Sequence, residues 1–341
     1  MFFQCLINAV KYVIVTSIVY AIALFYGWVT LISVSIKWFR TGNKFWYVKE
    51  RTLPPRCLND ISYGRHAFIQ LQDIRLHYVE NGDRSKPLML LVHGFPEFWF
   101  TWRKQLQHFS KTHWVVALDL RGYGDSDRPG RVSDYKMELL VQDIYTFVKA
   151  LKRDKCILVG HDWGGAISWV VASTCPDLVE KLVILNAPHP SAMALKLKSS
   201  LQQFFKSWYI FFFQLRWIPE LCYRTNDLLV FDKLFGDSIS EEDMEGYKYN
   251  WAKKGAWTPP INYYRNILNA KLLLNPRVLP AVVAPSLIVW GENDLALEKE
   301  LAELSRPYVR NLQIEYIPGA SHFVQHDKPD LVNSVIEDFV R

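Results

Sequence analysis

The chain has 341 residues, half of them hydrophobic, and a net charge of +6 at pH 7, enough to bury one large core with length left over. Its five cysteines (Cys5, Cys57, Cys156, Cys175, Cys222) are odd in number, widely scattered and without a C-x-x-C pair, which excludes a disulfide framework. The positive charge sits largely in one segment after an N-terminal apolar run, and no interleaved basic and aromatic stripe points to nucleic acid.

That apolar run, Val13 to Ile36, is 24 residues without a charge, bounded by Lys11 before it and by Lys37 and Arg40 after it. At about 1.5 Å of rise per residue it is long enough to cross a bilayer as a helix. A cleaved signal peptide has a shorter apolar stretch and a small-residue cleavage site. Tyr20, Phe25, Tyr26 and Trp28 within the run, and Trp38 after it, form no such site. Residues 1–40 are therefore expected to be a retained, single-pass membrane anchor. Lys37, Arg40, Lys44, Lys49, Arg51 and Arg56 follow the run, and the positive-inside rule places what comes next on the cytosolic face, as for an endoplasmic-reticulum protein. The absence of an Asn-x-Ser/Thr acceptor and the unpatterned cysteines agree with that side. Residues 41–65, with Pro54-Pro55-Arg56, read as a solvated basic linker.

From about residue 66 the pattern becomes regular. Ala67–Leu71 and Ile74–Val79 alternate as strands do, and Leu88–Val92 and Trp114–Leu118 are continuous apolar runs, as expected of strands covered on both faces. Tyr135 to Leu151 has helical spacing, with Leu139, Leu140, Ile144, Phe147, Val148 and Leu151 on one stripe. Cys156–Val159 is a short buried strand, Ala166–Ala172 a helix, and Leu182–Leu185 another strand. The alternation resumes at Pro285–Trp290 and Leu312–Ile317. This is the signature of a doubly wound, mostly parallel α/β sheet, in two parts at 66–189 and 277–341. Between them, 190–276 is rich in aromatics and lacks clear strands, so it is expected to be a helical lid over the carboxyl ends of the strands, where ligands bind in such sheets.

The most telling stretch is Gly160-His161-Asp162-Trp163-Gly164-Gly165, between a predicted strand and a predicted helix. A Gly-x-nucleophile-x-Gly turn there is the nucleophile elbow of α/β-hydrolases, and its glycines let the backbone bend so that the central side chain stands exposed. Here that residue is aspartate. A carboxylate is already an anion and attacks carbon directly, so the elbow points to ester intermediates at saturated carbon, as in opening an epoxide or displacing a halide. No Gly-x-Ser-x-Gly is present to support a serine esterase.

Three further motifs fall where such an enzyme needs them. His93-Gly94-Phe95-Pro96 follows a strand and brings the Phe95 N–H opposite that of Trp163, as an oxyanion hole. Asp294, in Gly291-Glu292-Asn293-Asp294, ends a strand and is placed to fix a histidine tautomer, although capping the turn ahead of Glu298 is an equally ordinary job for it. His322, in Gly319-Ala320-Ser321-His322, follows the last strand. The order Asp162, Asp294, His322 is the nucleophile–acid–histidine order of this fold's triads. His326 and His189 have no comparable placement.

These motifs, with Trp102-Arg103 and Asp119-Leu120-Arg121-Gly122-Tyr123-Gly124, make the chain from about His66 to Arg341 resemble an epoxide hydrolase of the α/β-hydrolase superfamily, in particular its membrane-anchored animal branch. The resemblance implies two lid tyrosines that bind and protonate the epoxide oxygen. Tyr209, in Trp208-Tyr209-Ile210-Phe211-Phe212, and Tyr264, in Asn262-Tyr263-Tyr264-Arg265-Asn266, match the two lid motifs, with Tyr263 the competitor for the second. It implies no metal or organic cofactor. A haloalkane or haloacid dehalogenase shares the Asp elbow and histidine but replaces the tyrosines with halide-holding groups, for which Trp163, Trp208 and Trp257 are available. A membrane-tethered binding protein would keep the core and lose the triad, whereas every triad position is filled here. The lid phenylalanines and the anchor favour a small lipophilic epoxide, such as an epoxidised fatty acid, arriving through the bilayer.

Overall fold

A computed structural model describes residues 2–268 and 278–341. Its eight strands are β1 (Arg65–Gln70), β2 (Arg75–Asn81), β3 (Leu88–Val92), β4 (Trp114–Leu118), β5 (Cys156–His161), β6 (Val179–Leu185), β7 (Ser286–Gly291) and β8 (Leu312–Ile317). They form one sheet in the order β1-β2-β4-β3-β5-β6-β7-β8. β2 is antiparallel to both β1 and β4, and every later pairing is parallel. The central strands β3, β4 and β5 are buried at every residue, because helices cover both faces of the sheet there. The edge strands β1 and β8 alternate between covered and uncovered positions, as strands with one solvated face do.

Four helices precede the first break in the pattern: α1 (Phe2–Thr41), α2 (Arg103–Phe109), α3 (Met137–Ala150) and α4 (Trp163–Thr174). On α3 the buried stripe includes Leu140, Ile144, Phe147 and Val148. Leu139 lies outside it and is 38% exposed, since one residue along a helix turns the side chain by about 100°. Between β6 and β7 the described residues hold helices and no strand. They begin with α5 (Pro190–Ser199), α6 (Leu201–Lys206) and α7 (Trp208–Phe212) and run to the helix Thr258–Ile267. The expected end of this helical insertion at 276, and the return to the sheet at 277, lie outside the described residues.

Residues 41–65 are mostly exposed, as a linker is, but the segment is also tied to the rest of the protein. Phe45, Cys57 and Leu58 are buried in the protein. The Arg51 side chain is 4% exposed and donates two 2.7 Å bonds to the Asp227 carboxylate and one of 3.1 Å from Nε to Glu245. The Lys49 N–H adds a 2.9 Å bond to Asp227, and the Asp227 N–H returns one to the Tyr47 carbonyl. Two of the segment's basic residues, Lys49 and Arg51, thus meet two carboxylates of the helical insertion, to which they strap it.

Candidate active site

β3 and β5 lie side by side at the centre of the sheet, and the loops leaving their carboxyl ends meet. Asp162 turns β5 into α4 with φ +48° and ψ −116°, a conformation costly for a non-glycine residue and held here by the strand and helix on either side. Small neighbours make the turn possible. A Cβ on Gly164 would lie 2.1 Å from the Val92 carbonyl oxygen, and one on Gly94 would lie 2.4 Å from the Asp162 Cβ. Because Gly94 has none, the β3 loop closes onto Asp162, and the Phe95 N–H donates a 2.7 Å bond to Asp162 Oδ1. Trp163 opens α4, so its N–H is among the first-turn donors that have no acceptor within the helix.

The other oxygen, Asp162 Oδ2, faces His322 Nε2 at 3.4 Å, and His322 Nδ1 lies 2.6 Å from Asp294 Oδ2. Asp294 performs both of the jobs its position allows. Its Oδ1 accepts the Ala296 and Leu297 N–H groups at 2.7 and 2.9 Å, capping the turn, while Oδ2 serves the histidine. Burial opposes a charge on His322, but Asp294 and then Asp162 outweigh it and hold the imidazole well above the usual histidine range. Burial likewise pushes the Asp294 carboxyl up, and the histidine, Asn186 and the Leu297 N–H together bring it below its ordinary value.

Three supporting residues carry no role in the sequence motifs. Asn186, just past β6 at φ +40°, donates to Asp294 Oδ2 at 2.8 Å and accepts the Gly291 N–H at 2.9 Å. His161, fully buried beside Asp162, has Nδ1 at 2.6 Å from Glu97 Oε2 and Nε2 at 2.8 Å from the His322 carbonyl oxygen. Glu97 also accepts the Gly94 N–H at 3.0 Å, so one buried carboxylate ties the Phe95 loop to the His322 loop. Asparagine's tolerance of left-handed backbone is the one local signal that marks Asn186. His326 belongs to the same buried layer, with Nε2 at 2.9 Å from the Tyr247 hydroxyl, and does not reach Asp162.

The helical insertion covers this centre with aromatic rings. Tyr264 stands edge-on to Trp163 with ring centroids 5.1 Å apart, and Tyr209 lies 5.7 Å from Tyr264. Burial and then the charge of Asp162 push both phenols above their ordinary value. Tyr263 points elsewhere: its hydroxyl donates a 2.8 Å bond to the Arg121 carbonyl. Phe95, Phe213 and Tyr264 pack on one another with centroids 4.9 to 5.5 Å apart, making the approach to Asp162 apolar. Among the described residues no cluster of three His, Cys, Asp or Glu side chains is placed to hold a metal ion.

The α/β hydrolase fold family matches residues 87–329, which include both parts of the sheet that carry this centre. Epoxide hydrolase 4 of Homo sapiens is 42% identical over 85% of this chain and 83% of its own length. The chain belongs to the epoxide hydrolases. Epoxide hydrolase 2 of Caenorhabditis elegans is 41% identical over 91% of the chain and 88% of its own length. The crystal structure of the Bacillus megaterium epoxide hydrolase with an inhibitor superposes with a TM-score of 0.75 at 32% identity, covering 80% of this chain and 99% of that one. An enzyme of this family is not a tethered binding protein, and α1 adds to it one apolar helix of membrane-spanning length, with mean hydropathy 1.9 over its richest window.

Proposed function

We propose that this epoxide hydrolase opens lipophilic epoxides to vicinal diols through a covalent ester on Asp162. The carrying observation is the division of labour at that carboxylate: Oδ1 is occupied by the Phe95 N–H while Oδ2 faces His322. Asp162 Oδ2 attacks an epoxide carbon, the carbon–oxygen bond of the ring breaks, and Tyr209 or Tyr264 donates a proton to the departing alkoxide. Phenols held above their usual pKa remain protonated and keep that proton available.

Ester formation removes the negative charge of Asp162. One of the two anions holding a proton on His322 then disappears, and the imidazole loses its proton more readily, to the tyrosinate left by the first step. Neutral His322, oriented by Asp294, takes a proton from water, which attacks the ester carbonyl. The developing oxyanion lies against the N–H groups of Phe95 and Trp163, where losing one donor costs about 3 kcal/mol of transition-state stabilisation. The diol leaves and the carboxylate is restored.

The apolar rings above Asp162 and the apolar helix α1 support a lipid-derived substrate such as an epoxidised fatty acid. In this reading α1 holds the chain on the endoplasmic-reticulum membrane with its catalytic part in the cytosol, in keeping with the basic residues that follow the apolar run. The test is a His322→Gln variant exposed to a long-chain fatty-acid mono-epoxide. Its intact mass rises by one epoxide and the added mass maps to Asp162; an unmodified Asp162 rejects the mechanism. Chloride release from haloalkanes without diol from epoxides would instead favour the dehalogenase reading.

A further inference from the structure

The centre of the charge-free run is covered by protein. Val19, Ala23 and Gly27, at helical spacing of four, form the buried stripe of α1. Gly27 leaves no gap there, since a Cβ would lie 2.4 Å from Leu215 Cδ1, and Tyr26 sets its ring 6.0 Å from that of Trp208 on α7. The same short helix carries Tyr209. The other faces of α1 are apolar and bare, with Ile14, Ile18, Leu24, Phe25 and Trp28 all exposed. The flanks of its contact with the lid are bare as well: Phe205, one turn before α7 and 61% exposed, and Trp217, two residues past Leu215 and 79% exposed.

A helix standing upright in a bilayer would put Leu24 and Phe25 at the mid-plane, about 15 Å below either edge of the hydrocarbon core. The residues clasped by α7 and Leu215 are those central ones, not the end near Lys37. The lid therefore shares the depth of the middle of α1, and a lid that keeps charged side chains on its other surfaces does not sit at a mid-plane. We propose that α1 lies along one face of the membrane and that α7 with its flanking aromatics sinks into the same leaflet beside it. The partner is the bilayer itself. Interfacial helices ordinarily bury one apolar face and wet a polar one; here the lid takes the place of the polar face. Exposed Arg216, Lys37, Arg40 and Lys44 supply cations at headgroup level. Resting on the reading of α1 as a membrane anchor and of the substrate as lipophilic, this arrangement delivers an epoxide from lipid to the helix bearing Tyr209.

The test places nitroxide labels at Leu24→Cys, Trp217→Cys and Leu139→Cys in the full chain, reconstituted in phosphatidylcholine vesicles. Collision with oxygen against a water-soluble nickel chelate reads depth, after subtraction of the labelled parent chain. Expected are lipid-like values of similar depth at 24 and 217 and a water-like value at 139. Lipid at 24 with water at 217 overturns the proposal and leaves a tethered anchor; water at 24 overturns the anchor reading with it. A Gly27→Leu variant is expected to lose at least tenfold in kcat/KM for vesicle-dissolved epoxide and nothing for a short water-soluble one. Equal effects on both substrates would refute the coupling. Depth is read without catalysis, so failure of the epoxide chemistry shows separately.

Discussion

Asn186 Nδ2 lies 2.8 Å from Asp294 Oδ2, the same oxygen that faces His322 Nδ1 at 2.6 Å. A buried carboxylate oxygen shared by an amide and an imidazole is fixed in position, and so is the ring it orients. Removing the amide leaves Asp294 with one partner fewer and the Gly291 N–H without its acceptor. Asn186→Ala is expected to destabilise the protein by about 2–4 kcal/mol, combining the lost buried bonds with left-handed backbone on alanine. Asn186→Gly relieves the backbone and keeps the loss of orientation, so its kcat should fall by the same factor, about tenfold, with a smaller stability change. Urea unfolding beside steady-state kinetics separates the two; full kcat in the glycine variant would deny Asn186 a positioning role.

The raised pKa of His322 has a sign in stability. A histidine held above its unfolded value of about 6.5 contributes stability that is complete below that pH and is lost as pH rises through the folded value. Asp162 is one of the two anions responsible. In Asp162→Asn the histidine loses part of this support, so the melting temperature of the parent should decline relative to the variant as pH rises above about 6.5. Thermal unfolding of both chains across that range reads the difference. Parallel curves would mean that Asp162 does not support the charge.

That Asp162 and His322 come together is legible in the sequence because each sits in a short turn beside glycine and because their order along the chain is that expected of the fold's triads. The sheet is legible for a similar reason: β3, β4 and β5 are unbroken apolar runs. Asn186 is not legible, since one asparagine after a strand has no pattern around it and its partners lie about a hundred residues away. Nor is the strap at residues 41–65. Arg51 pairs with Asp227 and Glu245 at separations of 176 and 194 residues, and composition reports its charge without its partners. Leu139 shows a smaller failure, where an apolar residue beside a helical stripe reads as part of it.

Tyr209 and Tyr264 set their rings 5.7 Å apart over Asp162, while the Tyr263 hydroxyl is committed to the Arg121 carbonyl. Single-turnover ester formation is expected to slow by about 10²-fold in Tyr209→Phe and in Tyr264→Phe, the low end for a general acid because one donor remains. The double variant should form no ester. Tyr263→Phe serves as the control and should alkylate at the parent rate even if its stability drops. A slow Tyr263→Phe beside a fast Tyr264→Phe would exchange their roles.

Arg51 tests whether the segment after α1 holds the lid in place. Its guanidinium is almost fully covered and bridges Asp227 to Glu245, whose side chains are 28% and 38% exposed. Burial of the arginine works against its charge, but the two carboxylates outweigh that and raise its pKa further, so it stays a cation at every pH of interest. Arg51→Ala leaves two carboxylates side by side with water able to reach both, so the loss should be moderate, about 1–3 kcal/mol. Arg51→Lys should recover less than half of it, because an ammonium cannot present two parallel N–H groups to Asp227 while reaching Glu245. The segment bearing Tyr47 and Lys49 would also lose its seat on Asp227, and proteolysis within residues 41–65 should accelerate before the sheet unfolds. Limited proteolysis timed against thermal unfolding reads both events. Unchanged cleavage in Arg51→Ala with a lowered melting temperature would assign Arg51 to general stability and remove the strap.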